Sequence, residues 1–442
     1  MILSSAYVPM LNTDHLISTS IIEASQSWDG YERERAVRQL GLLPNPNCQA
    51  IAALLKRVND WVPQVRAAAV QVLLNLLVHE NVLSFVEALP DVYHLRNCHR
   101  DIHGAIISKI ELFLLRVENR HYVLEGIKSS IKGVGRWCVY LSIDHQLATP
   151  CEIYLYSQKS HDIIVRTTAV RLLDKLSKQE LELVIEDAIL DAFMPVRREA
   201  LLIALRCFPE RSFALIHLML SDRSPAIREI GVAYANDNGI DVEKFYIQTL
   251  TDIKAPQPRQ LTVALLGLSE IGARSALDVV LSFLESHSPR VRKASIVALA
   301  RLDQENAHYY LDIGLTDQAA SVRKEAVRLM KKNRILLSEV ELIELYRNSA
   351  GADRLQEIVL LNQYRPRWDR LSFLMWLLTQ ETLDASIARL DLEFRNWLAG
   401  TNYSFTPPQK SQETLIGDRL FALAKTLHHE QVIDYLRHFM EI

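Results

Sequence analysis

The segment Ser288-Pro289-Arg290-Val291-Arg292-Lys293-Ala294 recurs in disguised form along most of the 442-residue chain. Its anchor is an arginine that follows an aliphatic residue, met again at Val65-Arg66, Val165-Arg166, Val196-Arg197, Ile227-Arg228 and Val322-Arg323. Arg259 and Arg354 fall in step without the aliphatic neighbour, so from Arg166 onward the intervals are 31, 31, 31, 33, 31 and 31 residues. A fixed period of this kind marks a repeated structural unit, and about 30 residues suffice for two short helices and their turns.

Other columns move with the arginine. Proline stands three residues before it at Pro63, Pro225, Pro256 and Pro289, and two before it at Pro195. A proline is tolerated in a first helical turn, where its missing N–H is no loss, so a helix is predicted to start at each. Six residues before the arginine stand Asp60, Asp191, Asp222 and Asp317, replaced by Ser160 and Ser286 elsewhere, all short side chains suited to capping a turn. After the turn, Val291, Ala294, Ser295, Ala298, Leu299 and Leu302 lie on one helical stripe, as do Val165, Thr168, Ala169, Leu172, Leu173 and Leu176. A small residue follows each anchor position by four: Ala36, Ala69, Ala169, Ala200, Gly231, Thr262, Ser295 and Ala326. Upstream of the turns lie further amphipathic stretches such as Gln49 to Val58, Glu180 to Leu190 and Ala276 to Leu284. Each unit therefore reads as helix, turn, helix.

Composition agrees with an all-α chain. Hydrophobic residues at 49% supply a core, while 14 Gly and 15 Pro are too few for the turns of many short strands. Fifty Lys plus Arg against 53 Asp plus Glu leave a net charge of −3, too balanced to drive nucleic-acid binding by phosphate neutralisation. The five cysteines, Cys48, Cys98, Cys138, Cys151 and Cys207, form no CxxC pair, and an odd, irregular set points to a reducing, cytoplasmic setting. No basic n-region precedes an apolar run at the start, and the apolar run near Leu371 to Leu378 is far short of the ~20 residues of a membrane span, so no membrane partner is expected.

The Pro, Asp, Val-Arg and Ala columns resemble those of HEAT repeats, particularly the short form found in the phycobilisome-lyase class. The resemblance is strongest from Ser160 to Arg334 and at Asp60 to Leu77; Arg33 aligns through Ala36 and Val37, and His103 stands in the arginine's place after Ile102. One degenerate unit around Val134 to Ile143 keeps the count. The resemblance implies a right-handed α-solenoid of about eleven helical hairpins, roughly 110 Å long before curvature at about 10 Å per unit. The expected segments are N-terminal repeats at 1–103, degenerate repeats at 104–159, regular repeats at 160–354 and an aromatic-rich C-terminal cap at 355–442.

In a stacked array the shared columns make the scaffold. Asp60, Arg66, Arg166, Asp191, Arg197, Asp222, Arg228, Arg292, Asp317 and Arg323 therefore read as a structural ladder that pairs within and between units. A partner can be specified only by unshared positions. The residue after each ladder arginine faces away from the core stripe: Ala67, Thr167, Arg198, Glu229, Gln260, Lys293 and Lys324. By resemblance to the family the second helices line the concave surface, so Arg198, Lys293, Lys324, Arg328, Lys331 and Lys332 are the candidate partner-binding residues. Ten basic residues face five acidic ones between Pro289 and Arg334, a charge pattern that fits an acidic protein surface. The expected function is a non-catalytic interaction scaffold, as an immunity or antitoxin protein or as an adaptor.

Two further clusters bear on catalysis. His94, Cys98, His99 and His103 would form i,i+4 pairs on a helix, the spacing of a two-ligand metal clamp, but Arg100 stands where HExxH needs glutamate and nothing completes a ligand shell. Asn97-Cys98-His99 has the residue types, though not the order, of the cluster that handles chromophore in bilin lyases, which keeps a lyase or isomerase as the rival reading. The His-Glu pairs of the HEAT-like deoxyhypusine hydroxylases have no counterpart, since His79-Glu80 and His429-Glu430 sit at opposite ends of the chain. No Gly-rich phosphate loop, GxSxG elbow or paired catalytic carboxylates occur, so no catalytic residue, metal or cofactor is expected.

Beyond Arg354 the period dissolves and aromatics gather: Trp368, Phe373, Trp376, Phe394, Trp397, Tyr403 and Phe405. Large aromatics can seal the last apolar layer of a solenoid. A loop is predicted over Gly400 to Gln412, followed by helices at Glu413 to Lys425 and Glu430 to Phe439.

Overall fold

A computed structural model of the chain describes residues 13–251, 256–348, 352–381, 384–400, 407–423, 434 and 436. Among these residues every regular element is helical: 26 α-helices joined by turns and short 3-10 segments. The fold is an all-α solenoid, in which antiparallel helical pairs stack on their neighbours. Contacts divide the chain into two compact units, Met1–Leu215 and Ile216–Ile442.

In the first unit the helices Gly30–Leu40, Cys48–Val58 and Pro63–Asn75 set the pattern, each packing on the other two. Helix Pro63–Asn75 begins with proline at its first position and buries Val65, Ala68, Ala69 and Leu73 along one stripe. In the second unit the helices Pro258–Ile271, Pro289–Leu302, Ala320–Asn333 and Ala352–Asn362 pack side by side in chain order. The small-residue column explains how they come so close: Ala36, Ala69, Ala169, Ala200, Ser295 and Ala326 are each at most 1% exposed. At Gly267 a Cβ would stand 2.3 Å from the ring of Tyr246, so only glycine admits this approach.

Several local expectations are corrected. The helix expected to start at Pro256 starts at Pro258, which places Ala264 rather than Thr262 in the small column; Ala264 is buried and Thr262 only partly so. The two additional residues of the 33-residue interval thus lie before this helix, and Arg259 sits exposed in its first turn, out of register with the ladder. The stretch Ala276 to Leu284 is not one helix: 3-10 turns at Arg274–Ala276 and Ser282–Glu285 flank a short helix, Leu277–Leu281. The predicted helix at Glu413 starts earlier, at Lys410, where the Gln412 side chain accepts a hydrogen bond from the backbone N–H of Gln409 just after Pro407-Pro408. Lys425 and most of the span 430–439 lie outside the described residues, as do Tyr403 and Phe405.

The C-terminal aromatics are core residues. Trp368, Phe373, Phe394 and Trp397 are buried in an apolar cluster that also contains Ile296, Val322, Met330 and Leu371. Trp397 Nε1 donates to the carbonyl of Arg367 at 2.9 Å, and its ring meets that of Trp368 edge-on with centroids 5.6 Å apart. Burial of each such side chain contributes about 1.5–3 kcal/mol relative to exposure. Two carboxylates organise this segment: Glu339 accepts from Arg419, and buried Glu393 faces Arg370 and Arg389.

Candidate functional site

The shared arginines have a common geometry with two ends. Through Nη1, Arg66, Arg197, Arg228, Arg292 and Arg323 reach back into their own turns. Arg66 donates to the carbonyl of Asp60 at 2.9 Å, Arg197 to that of Asp191 at 2.9 Å and Arg228 to that of Asp222 at 2.8 Å. Arg292 donates in the same way to Ser286 at 2.7 Å and Arg323 to Asp317 at 3.1 Å. The aspartate closes the turn by accepting from the backbone N–H two residues on, as Asp60 does from Val62, Asp191 from Phe193, Asp222 from Ser224 and Asp317 from Ala319.

The other edge of the guanidinium crosses to the next unit. Arg292 grips both oxygens of Asp317 at 2.7 and 2.8 Å, and Arg33 does the same to Asp60 at 2.9 and 2.8 Å; Arg166 pairs with Asp191 and Arg66 with the exposed Asp101. Burial pushes the Asp60 and Asp317 carboxyls up, but hydrogen bonds from Arg33 and Arg292 and from the turn backbone outweigh it and hold both below the usual carboxylate range. Two rungs use a different acceptor: Arg228 forks onto Glu270 and Arg323 reaches Glu357, both carboxylates on later helices rather than in turns. Arg136, not anticipated from the sequence, occupies the ladder place in the degenerate region and reaches Asp162 at 2.7 Å.

The outward-facing cations divide. Lys324, Arg328 and Lys331 line one cavity of about 460 Å³ between the helices Ala320–Asn333 and Ala352–Asn362, together with Val327, Leu360 and Tyr364. Lys331 Nζ lies 5.1 Å from the Tyr364 ring centroid, a cation–π contact. Arg328 pairs with Glu325, and this hydrogen bond holds the Glu325 carboxyl below its usual range, helped by the charges of Lys293 and Arg301. Lys293, half-buried on the helix Pro289–Leu302, thus lies near Glu325 and outside the cavity lining. Glu357, a carboxylate of the lining, is spent on Arg323, and Glu325 stands outside the lining. Lys332 is exposed but does not line the cavity. Arg198 lies in the first unit and bonds to Glu199, so it does not belong to this group.

The His94 to His103 cluster does not form the helix its clamp spacing requires. The helix Leu89–His94 ends there, a 3-10 turn covers Leu95–Asn97, and the following residues are extended or bent up to Gly104. The Cys98 thiol points to the His94 carbonyl at 3.6 Å, and His103 Nε2 stands 3.1 Å from Asn59 Oδ1. Among the described residues no group of three His, Cys, Asp or Glu side chains is arranged to hold a metal ion. His94 and Cys98 do line a cavity of about 750 Å³ in the first unit, with Arg57, Trp61 and Arg100. Among the described residues no single helix is long and apolar enough to cross a membrane.

Comparison with curated proteins returns no match. Among solved structures, the chain is similar to an engineered protein at 14% identity, covering 78% of this chain and 98% of the other with a TM-score of 0.23. It is similar to Kap95p, solved with RanGDP, at 12% identity over 96% of this chain and 62% of the other, with a TM-score of 0.35. It is similar to importin beta at 12% identity over 96% and 73%, with a TM-score of 0.31. Residues 243–331 match the family model for HEAT repeats. The matched span contains the Arg292–Asp317 rung, and the same turn, arginine and small-residue geometry recurs from Arg33 to Glu357: residues 243–331 are HEAT repeats set in an all-α solenoid.

Proposed function

We propose that the protein is a non-catalytic scaffold that holds an acidic protein partner on the basic face formed by Lys293, Lys324, Arg328 and Lys331. The observation that carries this reading is an imbalance of charge. The carboxylates beside these cations, Glu325 and Glu357, are already committed to Arg328 and Arg323, while Lys293 and Lys324 form no ion pair among the described residues. Lys324 is exposed and Lys293 half-buried, and cations without an ion-pair partner at a surface gain most when an acidic surface covers them. An immunity or antitoxin protein that clasps a toxin, or an adaptor in assembly, working in the reducing cytoplasm, is the form of scaffold this reading favours. The lyase alternative has less support, because Cys98 faces a backbone carbonyl rather than an imidazole nitrogen and so lacks a base to generate its thiolate.

The test is partner capture by the full-length chain from its native host, followed by the Lys293→Glu/Lys324→Glu double variant. Release of the captured protein with an unchanged melting midpoint is the expected result. Capture that persists undiminished would discard the face. Cys98→Ala should leave capture untouched, and chromophore-dependent turnover lost in that variant would favour the lyase instead.

A further inference from the structure

We infer that the groove between the helices Ala320–Asn333 and Ala352–Asn362 recognises a short acidic segment of the partner that carries an apolar anchor among its carboxylates. This rests on the scaffold reading above and names what the basic face takes. The three cations of the groove stand at i, i+4 and i+7 on one helix, a stripe about 10 Å long at 1.5 Å per residue. A chain segment in extended form spans that distance in three or four residues. The recognised element is therefore short and linear, and a volume of about 460 Å³ is of ligand size rather than of domain size.

The lining specifies more than charge. Val327 closes the floor, Leu360 is half-buried beside it, and Tyr364 leaves 39% of its surface in water. Covering these atoms rewards an aliphatic or aromatic side chain, while the Lys324 and Lys331 ammonium groups stand ready for carboxylates at its flanks. Lys331 resting on Tyr364 pre-orients one of those cations at the rim. A nucleic acid would meet the same cations and could stack on Tyr364, but the aliphatic floor offers its phosphates and sugars nothing, and the chain as a whole carries no net positive charge.

The experiment uses fluorescein-labelled decapeptides on a Gly-Ser frame with the full-length chain, read by anisotropy. The acidic probe has four glutamates around two leucines; controls carry glutamine for glutamate or serine for leucine, and a decathymidylate reports polyanion binding. The acidic leucine peptide should bind about tenfold more tightly than the glutamine control and several-fold more tightly than the serine control. Lys324→Glu/Lys331→Glu should weaken it about tenfold and Tyr364→Ala about threefold, with thermal midpoints held at the wild-type value because all three side chains reach solvent. Equal binding of the leucine and serine peptides, tighter binding of the oligonucleotide, or indifference to the double variant would each overturn the inference. If the captured partner is released by Lys293→Glu/Lys324→Glu but the acidic leucine peptide fails to compete with it, the groove falls and the scaffold face stands. If the peptide binds as described and the partner is indifferent to the charge reversals, the face falls as the partner's seat.

Discussion

Trp28 and Trp61, in the first unit, are 90% and 68% exposed, whereas Trp368 and Trp397, in the second, are 4% and 2% exposed. The residue type is the same and the fate is opposite. Trp28 and Trp61 occupy the turn place five residues before a ladder arginine, and their backbone carbonyls accept from Arg33 and Arg66. Tying the carbonyl inward turns the side chain out. Trp368 and Trp397 lie on helices that face the apolar cluster of the second unit, where the position itself is buried. Place within the repeat, more than residue identity, decides whether a side chain builds the scaffold or meets solvent.

The sharpest way to break this comparison is a pair of truncations. Trp397→Ala should cost about 3–5 kcal/mol, since it opens a cavity and also removes the hydrogen bond to the Arg367 carbonyl. Trp28→Ala should stay within about 0.5 kcal/mol. Urea unfolding of the two variants checks both, and comparable losses would mean that the exposed tryptophan packs on something that its accessibility denies.

The ladder repeats the lesson with charge. Asp60 is 3% exposed and holds Arg33 and Arg57 together, so Asp60→Ala strands two guanidinium groups in a water-poor site, at a cost of up to about 3–5 kcal/mol. Asp101 serves Arg66 in the open, and Asp101→Ala should leave the unfolding midpoint where it is. A strong response to the second change would show that the exposed rung bears as much of the stacking as the buried one.

Much of this was legible in the sequence, and the gaps have physical reasons. The arginine, aspartate and small-residue columns announce the repeat because each is demanded by backbone geometry that recurs. Glu270 and Glu357 were not legible as rungs, since they lie within helices, 42 and 34 residues beyond their arginines, instead of in the Asp-bearing turns whose spacing repeats. Arg136 was missed because it follows Val134 by two residues instead of one. In the turn before Pro258 two prolines compete for the same role, and only packing reveals which one opens the helix. The cations of the docking face stood out as a local charge excess, but Leu360 and Tyr364 come from the region where the period fades, so their meeting with Lys324 and Lys331 required the fold.

Acid sharpens the comparison between rungs in a different variable. The Asp60 and Asp317 carboxyls sit below their ordinary range when folded, so the folded state binds these protons less readily than the unfolded chain. The stability they contribute is present in full above the unfolded value, near about 3.9, and is lost as pH falls through that value toward the depressed one. Unfolding midpoints followed from pH 6 to pH 2 should therefore drop steeply below about pH 4 in the wild type. Asp60→Asn should flatten that drop, because the substituted side chain has no proton to gain. An unchanged slope would remove Asp60 from the set of groups that govern acid stability.

The smallest expected effect concerns two glycines that differ only in surroundings. Gly267 looks onto the Tyr246 ring, so Gly267→Ala must push apart the helices Val242–Thr251 and Pro258–Ile271, at about 1–3 kcal/mol for an overpacked contact. Gly104 opens the helix Gly104–Leu114 with no atom within 4 Å of a would-be Cβ and without a positive φ. An alanine there meets nothing in the folded state and restricts the unfolded chain, so Gly104→Ala should stabilise by about 0.4–1 kcal/mol. The gain is entropic, arising in the unfolded ensemble, and a matched pair of thermal melts resolves its sign against that of Gly267→Ala. A loss at Gly104 would mean that the helix start needs glycine for a backbone reason that neither its torsion nor its open surroundings display.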